Sequence, residues 1–251
     1  MTPAVMRARA YAVHLLTASG IVAAFFAVAE LLNEAPDERV VFAWLILAVV
    51  VDAVDGPLAR AWEAKRFAAD IDGRTIDEIV DYLTFTFIPL LLVWRMGWVP
   101  FAPGFAGAAW IVPALLASLL GFAHVGAKDE AAGYFRGFPS YWNIAAFYAG
   151  LASHGLGEAG QWVNAAVLLA LAALTVSPVR FIYPNLAPRP WKLPVLVGAV
   201  VWAAVLVGML FIYRRVPGWM VWVSLSYPLF YAALSLLLDP QRHARARATS
   251  G

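Results

Sequence analysis

The sequence predicts an all-α integral membrane protein with about eight transmembrane helices, organised as one domain over residues 1–251. Of the 251 residues, 63% are hydrophobic and 14% are charged, whereas soluble domains are nearer half apolar and a quarter charged. The mean hydropathy is +0.74. The apolar residues are grouped in runs of about 20, the length that crosses the hydrocarbon core of a bilayer as a helix. No stretch is both polar enough and long enough to fold separately in water.

Eight apolar runs are candidates for membrane-spanning segments. Each is predicted to be helical, because lipid offers no hydrogen-bond partner to an unpaired backbone group. The fifth and sixth runs are the least regular, since glycine and polar residues interrupt them. The predicted spans are 11–32, 40–60, 77–97, 106–126, 140–156, 161–182, 193–213 and 218–238.

The first run is predicted to be a retained helix, although Arg7 and Arg9 precede it as in a signal peptide. Its apolar region is too long for a signal peptide, and no convincing small-residue cleavage site follows. The chain contains no cysteine, which excludes disulfide and thiolate chemistry.

The distribution of Lys and Arg predicts that both termini are cytoplasmic. With the N-terminus inside, 14 of the 18 cations fall in the inner segments and 4 in the outer ones, as the positive-inside rule requires. The basic tail, 239–251, is expected to contact anionic lipid headgroups. The connection 61–73 mixes apolar and charged residues, which fits either a short interfacial amphipathic helix or an ordinary loop.

Two helical stripes at the cytoplasmic ends of the second and third runs each combine two aspartates with small residues. Positions three, four, seven or eight apart share one face of a helix. Small residues on such a face let another backbone or a flat ligand approach closely. The first stripe contains Asp52, Asp55, Gly56 and Ala59, and the second contains Gly73, Asp77 and Asp81.

Four carboxylates at membrane depth are costly and indicate a functional site. Converging carboxylates repel one another, and hard divalent cations such as Mg²⁺ and Mn²⁺ relieve that repulsion because they prefer oxygen ligands. Mg²⁺ usually completes its coordination shell with water and substrate phosphate. The pattern therefore indicates a phosphate-bearing substrate, with two metal ions. The alternative is that the aspartates are helix-end charges paired with Arg60, Lys65, Arg66 and Arg74.

These residues resemble the signature of the CDP-alcohol phosphotransferases, D-x2-D-G-x2-A-R, a spacer, then G-x3-D-x3-D. Every fixed position is occupied, from Asp52 to Arg60 and from Gly73 to Asp81. The 12-residue spacer is longer than in most of the family and resembles that of the bacterial phosphatidylcholine synthase branch. The chain length, the eight runs and two stretches also resemble that branch: HLLTASG from His14 and FRGFPSYWNIAAFY from Phe135.

The resemblance implies a role for each matched residue. Asp52, Asp55 and Asp77 would hold divalent metal ions, and Asp81 would be the general base that also touches a metal. Arg60 would support the phosphates or the carboxylates. The CDP-binding set would be Asp52, Gly56, Ala59, Arg60, Gly73 and Asp77.

The implied reaction transfers the phosphatidyl group of CDP-diacylglycerol to choline and releases CMP. It would use Mn²⁺ or Mg²⁺, with two ions per site. The family also implies a homodimer. The cation bias places the four aspartates, and with them the active site, at the cytoplasmic face. The expected location is the bacterial inner membrane, and no nucleic-acid partner is expected.

The acceptor is predicted from the aromatic stretch at the start of the fifth run. Choline carries a quaternary ammonium, which is bound by aromatic faces and carboxylates. Tyr141, Trp142 and Asn143 are the candidate choline-binding residues. The alternative for these side chains is an interfacial aromatic belt.

Two other functions are consistent with parts of the pattern. A sibling enzyme could use serine, glycerol phosphate or inositol phosphate, and a phosphate-bearing acceptor would need clustered cations. The candidate cations are Arg136, Arg180, Arg189 and Lys192. A cation transporter would also place carboxylates in the membrane, but it predicts inverted repeats and broken helices near the midplane, and the sequence shows no internal repeat. His14 and His124 are either site residues or packed, hydrogen-bonded core residues.

Overall fold

The computed structural model describes residues 2–124, 126, 128–129 and 133–239, and this part of the chain is mainly helical. The predicted basic tail lies outside the described residues from position 240 onward. The described α-helices are α1 Pro3–Leu31, α2 Glu38–Ala61, α3 Ala64–Phe67, α4 Gly73–Asp81, α5 Ile88–Arg95, α6 Ala108–Ala123, α7 Trp142–Leu156, α8 Glu158–Thr175, α9 Arg189–Phe211 and α10 Gly218–Leu238.

Several shorter elements connect these helices. A π-helix, Tyr82–Phe87, joins α4 to α5, and single 3-10 turns cover Pro184–Leu186 and Tyr213–Arg215. Three short strands form an antiparallel sheet in the order β1-β2-β3, with Tyr134 paired to Ile182 and Arg136 paired to Arg180. The strands are β1 Lys128–Asp129, β2 Tyr134–Arg136 and β3 Arg180–Ile182.

Each predicted span corresponds to a helical segment, and the all-α membrane class is confirmed. Within the described residues, α1, α2, α8, α9 and α10 are long and apolar enough to cross a bilayer. The other three segments are shorter or interrupted: α6 has 16 residues, α7 has 15 residues, and α4 and α5 are separated by the π-helix.

The predicted end of the sixth span is wrong. Helix α8 ends at Thr175, not near position 182, and residues Arg180–Ile182 instead form an antiparallel pairing with β2. Ser177, Pro178 and Arg180 follow the helix end, and a proline at this position is a helix-end signal that the hydropathy of the surrounding residues obscures. The three strands were not predicted, because segments of two or three residues carry no alternating pattern.

The described residues form two compact units. The first contains the residues up to Ile111 together with Tyr141–Phe147, and the second contains the remainder. The single-domain organisation stays a prediction. All four motif aspartates belong to the first unit.

Helices α1, α2 and α4 make up the packing that positions the motif in the first unit. Small residues let these helices approach closely, as is common in membrane bundles. A Cβ atom on Gly20 of α1 would lie 2.5 Å from Val80 Cγ1 of α4. Ala10, also in α1, packs with Ala64 and Ala68 of the connection between α2 and α4.

The connection 61–73 is mainly a loop that contains the single helical turn α3. Ala64 and Ala68 are buried, while Lys65 and Arg66 point to the exposed side. The loop ends at Asp72, whose carboxylate accepts hydrogen bonds from the Arg74 N–H at 3.1 Å and the Thr75 hydroxyl at 2.8 Å. This N-cap satisfies two donors and starts α4 at Gly73.

Candidate metal centre

Helix α2 carries the first pair of aspartates near its C-terminal end. Asp55 is buried with 5% of its surface exposed, and Asp52 is half-buried. Pro57 has no N–H to donate within the helix, yet α2 continues to Ala61. Asp52 and Asp55 therefore stay on one helical face, as their spacing predicts.

Three motif carboxylates from two helices converge in the first unit. One oxygen each from Asp52, Asp55 and Asp77 lies within 4.8 Å of the others. Two like unit charges about 4 Å apart repel each other by about 4 kcal/mol at a protein surface, and a bound cation would relieve this repulsion among three ionised carboxylates. Three carboxylate oxygens this close together suit a hard divalent ion such as Mg²⁺ or Mn²⁺. The residues present therefore fit a metal site.

Asp81 lies one turn beyond Asp77, half-buried, at the C-terminal end of α4. It is not one of the three convergent carboxylates. The four-residue spacing keeps it on the same helical face as Asp77. Its predicted contact with a metal ion stays a prediction, and so does its role as the base.

The two motif glycines have different surroundings. A Cβ atom on Gly56 would meet only Arg60 Nη1 within 4 Å, at an ordinary distance of 3.5 Å. A Cβ atom on Gly73 would lie 2.5 Å from His14 Cε1 and 2.7 Å from His14 Nδ1. Gly56 thus leaves space beside α2, with the Arg60 guanidinium next to it, while the space beside Gly73 is filled by the His14 ring.

His14 is a packed residue of the first unit. It is 8% exposed, and its Nε2 atom is buried without a hydrogen-bond partner in the described part of the chain. The His14 ring packs against the start of α4, but within the described residues Nε2 lacks the hydrogen bond expected of a core histidine, so both alternatives for this residue stay predictions. Ala59, the remaining small motif residue, packs at the edge of the cluster formed by Ala10, Ala64 and Ala68.

Asp70, which lies just before α4 begins, is hydrogen-bonded to a residue of α1. The Tyr11 hydroxyl lies 2.7 Å and 2.6 Å from the two carboxylate oxygens of Asp70 and donates to that carboxylate. This hydrogen bond is the main reason why the pKa of Asp70 lies below its usual value. The Arg7 guanidinium lies over the Tyr11 ring at 5.7 Å. The side-chain hydrogen bond from Thr75 likewise lowers the pKa of Asp72.

The three candidate choline-binding residues differ in accessibility. Trp142 is completely buried, and the Asn143 side-chain oxygen accepts the N–H of Ile144 at 2.9 Å. Tyr141 is 41% exposed, and its ring lies 6.1 Å from the ring of Phe85, centroid to centroid, at an angle of 50°. Phe85 was not predicted as a site residue, although it continues the four-residue spacing of Asp77 and Asp81.

Two of the candidate cations in the second unit already contact other groups of the protein. Arg180 is buried, lies 3.7 Å from the Asp239 carboxylate and lies 4.8 Å above the Tyr134 ring. Arg136 Nε donates to the Ser177 carbonyl at 3.4 Å. Neutralised by Asp239, Arg180 is a weak candidate for binding a phosphate-bearing acceptor.

His124 lies in the second unit and is exposed. Its Nδ1 accepts the N–H of Gly126 at 3.0 Å. Together with Arg136, Thr175 and three apolar or glycine neighbours it lines a cavity of about 80 Å³, which is much smaller than a nucleotide site.

Comparison with known proteins finds several relatives that carry the same name. No protein-family profile matches the chain. A phosphatidylcholine synthase of Pseudomonas aeruginosa is 38% identical over 184 residues, 73% of this chain and 72% of that protein. A phosphatidylcholine synthase of Mesorhizobium japonicum is 38% identical over 180 residues, 71% of this chain and 62% of that protein. A phosphatidylcholine synthase of Rhizobium meliloti is 30% identical over 235 residues, 92% of this chain and 91% of that protein.

Proposed function

Since the chain belongs to the bacterial phosphatidylcholine synthases, within the CDP-alcohol phosphotransferase family, we propose that it transfers the phosphatidyl group of CDP-diacylglycerol to choline. The products are phosphatidylcholine and CMP. The observation that carries the proposal is the convergence of Asp52, Asp55 and Asp77 within 4.8 Å, from two helices, at signature positions. This arrangement suits a substrate whose diphosphate shares a metal with the protein.

Asp52, Asp55 and Asp77 are proposed to hold Mn²⁺ or Mg²⁺, two ions per site, with Asp81 as a further ligand. When bound, such ions neutralise the charge of the diphosphate and of the departing CMP. The burial of Asp55 supports this assignment, because a buried carboxylate needs a partner for its charge. The half-buried Asp52 and Asp77 leave one side of the group open to the substrate.

Asp81 is proposed as the general base. An alcohol is a poor nucleophile, so a positioned carboxylate must accept its proton in the transition state. The choline oxygen forms a bond to the phosphorus that carries diacylglycerol, and the bond from that phosphorus to the CMP oxygen breaks. Asp81 holds the proton released from choline. Its position one turn beyond Asp77 supports a role beside the metal group.

The nucleotide is proposed to lie along the small residues of α2. The open space at Gly56 lets the diphosphate approach the helix backbone, and the neighbouring Arg60 guanidinium supplies a fixed positive charge for the phosphates. Ala59 extends the small surface by one turn. Gly73 leaves the space that the His14 ring occupies, and its contact with the nucleotide is proposed from the family resemblance.

The protein is an integral membrane protein, and we place it in the bacterial inner membrane with both termini and the active site cytoplasmic. The cation bias supports this orientation. It brings the lipid substrate, soluble choline and soluble CMP to one surface. A homodimer is proposed from the family resemblance, with the bilayer as the other partner and no nucleic acid.

The test is an assay of membranes that contain the full chain, with CDP-diacylglycerol, Mn²⁺ and labelled choline. CMP release is the common readout, and serine, inositol phosphate and glycerol phosphate are run in parallel. We expect choline-dependent CMP release and labelled phosphatidylcholine. Release with another acceptor would identify a sibling enzyme. No release with any acceptor, from folded protein, would refute the transferase and favour cation transport.

The matched controls are two single carboxylate substitutions. Asp55→Asn removes a convergent carboxylate, and Glu34→Gln removes an exposed one outside the motif. We expect the first to abolish choline-dependent CMP release and the second to leave it unchanged. Equal activities would show that the convergent group is not the active site.

A further inference from the structure

We infer that Phe85 and Tyr141 together bind the trimethylammonium group of choline, which makes Phe85 a specificity-determining residue. This inference rests on the proposed function. It differs from the sequence prediction in its residues, since Phe85 is added and the buried Trp142 is excluded as a direct contact.

The position of Phe85 follows from the helical stripe that carries the motif. Gly73, Asp77, Asp81 and Phe85 are spaced four residues apart, through α4 and into the π-helix Tyr82–Phe87. Side chains four apart on a helix are neighbours, with Cβ atoms about 5–6 Å from each other. Phe85 lies four residues after the proposed base, in the π-helical segment that continues α4. π-helical turns inserted in α-helices are frequent at functional sites.

Tyr141 brings a second ring to Phe85. The ring centroids are 6.1 Å apart, and the rings are tilted by 50°, so the two faces form a corner and do not stack flat. Phe85 is half-buried and Tyr141 is 41% exposed. The Phe85 ring is thus partly covered by the protein, and the Tyr141 ring is partly exposed, whereas Trp142 is completely buried.

The structure of choline requires an aromatic surface for its ammonium group close to the base that accepts its hydroxyl proton. A quaternary ammonium has no N–H and cannot be held by hydrogen bonds, so aromatic faces and a nearby negative charge bind it. Two carbons separate its nitrogen from its oxygen. With the hydroxyl at Asp81, the ammonium lies close to that carboxylate, and Phe85 follows Asp81 by four residues along the same helical segment.

The experiment compares ring removal at the corner with ring removal beside it. Phe85→Leu and Tyr141→Leu, in the full chain in membranes, are expected to raise the KM for choline about two- to thirty-fold, the range of one cation–π contact. The KM for CDP-diacylglycerol should not change. Phe87→Leu is the control, because Phe87 belongs to the same π-helix and is 40% exposed. Phe85→Tyr retains the ring and should keep a near-normal KM for choline.

A neutral isostere of choline, 3,3-dimethylbutan-1-ol, separates charge recognition from packing. We expect the unmodified protein to prefer choline as acceptor, and Phe85→Leu to reduce this preference by a similar factor. The inference is overturned if Phe85→Leu retains the preference, behaves like Phe87→Leu, or raises both KM values equally. If the unmodified protein releases no CMP with choline, it is the proposed function that fails.

Discussion

Gly73→Ala tests whether the space beside this motif glycine is needed by the His14 ring or by the nucleotide. The added Cβ would lie 2.5 Å from His14 Cε1, a distance that real Cβ atoms essentially never show. His14 is 8% exposed, so its ring cannot turn into solvent. Either the ring or the start of α4 must move by about 1 Å, and overpacking of this kind costs about 1–3 kcal/mol.

The consequence for activity follows from the position of Gly73 one turn before Asp77. If the strain displaces α4, the Asp77 carboxylate moves away from Asp52 and Asp55. A loss of about 1.4 kcal/mol corresponds to a tenfold loss of rate, so we expect kcat/KM for CDP-diacylglycerol to fall about five- to a hundredfold. The midpoint of thermal unfolding in detergent should fall as well.

A double-mutant cycle with His14→Ala isolates the contact. Removing the ring opens the space that the methyl group added by Gly73→Ala needs, so the double variant should be more active and more stable than the two single changes predict together. Contacting residues couple by about 0.5–3 kcal/mol. Additive losses would refute the packing explanation and assign Gly73 to the nucleotide.

Gly56→Ala is the matched control for this cycle. A Cβ atom there meets only Arg60 Nη1, at 3.5 Å, and alanine is a better helix former than glycine, so the unfolding midpoint should not fall. Because the space beside Gly56 is proposed to receive the diphosphate, the KM for CDP-diacylglycerol should rise. A large fall in stability would contradict the structure at this position.

Three further predictions concern carboxylates. Asp55→Asn should weaken Mn²⁺ binding, measured by electron paramagnetic resonance, by more than the roughly 10–100-fold typical of losing an outer-shell partner. Asp81→Asn should lower kcat by about 10²–10⁴-fold, the usual share of a general base, while CDP-diacylglycerol binding, measured by filtration, persists. Tyr11→Phe should raise the pKa of Asp70 towards its usual value, because the Tyr11 hydrogen bond is the main cause of its depression.

The last change affects how stability depends on pH. A carboxyl group whose pKa is lowered by folding stabilises the protein above its unfolded pKa, near about 3.9 for aspartate, and loses this contribution as the pH falls through the folded value. Unfolding midpoints measured from about pH 5 downward should therefore fall less steeply on acidification in Tyr11→Phe. An unchanged profile would show that the Tyr11–Asp70 contact contributes nothing in solution.

Normal turnover by Asp81→Asn would remove Asp81 as the base, and normal Mn²⁺ binding by Asp55→Asn would exclude Asp55 as a ligand.

Local spacing explains the features that could be predicted from the amino-acid order. Asp52 and Asp55 share a face of α2, and Gly73, Asp77 and Asp81 share a face of α4, because neighbours at three or four residues follow from helix geometry alone. The membrane class and the helical segments follow in the same way from the length of each apolar run. Relatives named phosphatidylcholine synthase agree with the family that the motif of this chain indicates.

Contacts between distant segments account for what the amino-acid order did not reveal. His14 fills the space beside Gly73, Tyr141 meets Phe85, and Arg180–Ile182 leaves the helical run to pair with Tyr134–Arg136. Hydropathy and periodicity describe one element at a time, so they do not specify which ring lies against which glycine. The roles of Gly73 and Phe85 therefore depend on how α1, α4 and the start of α7 pack within the first unit, since packing joins residues that the chain keeps far apart.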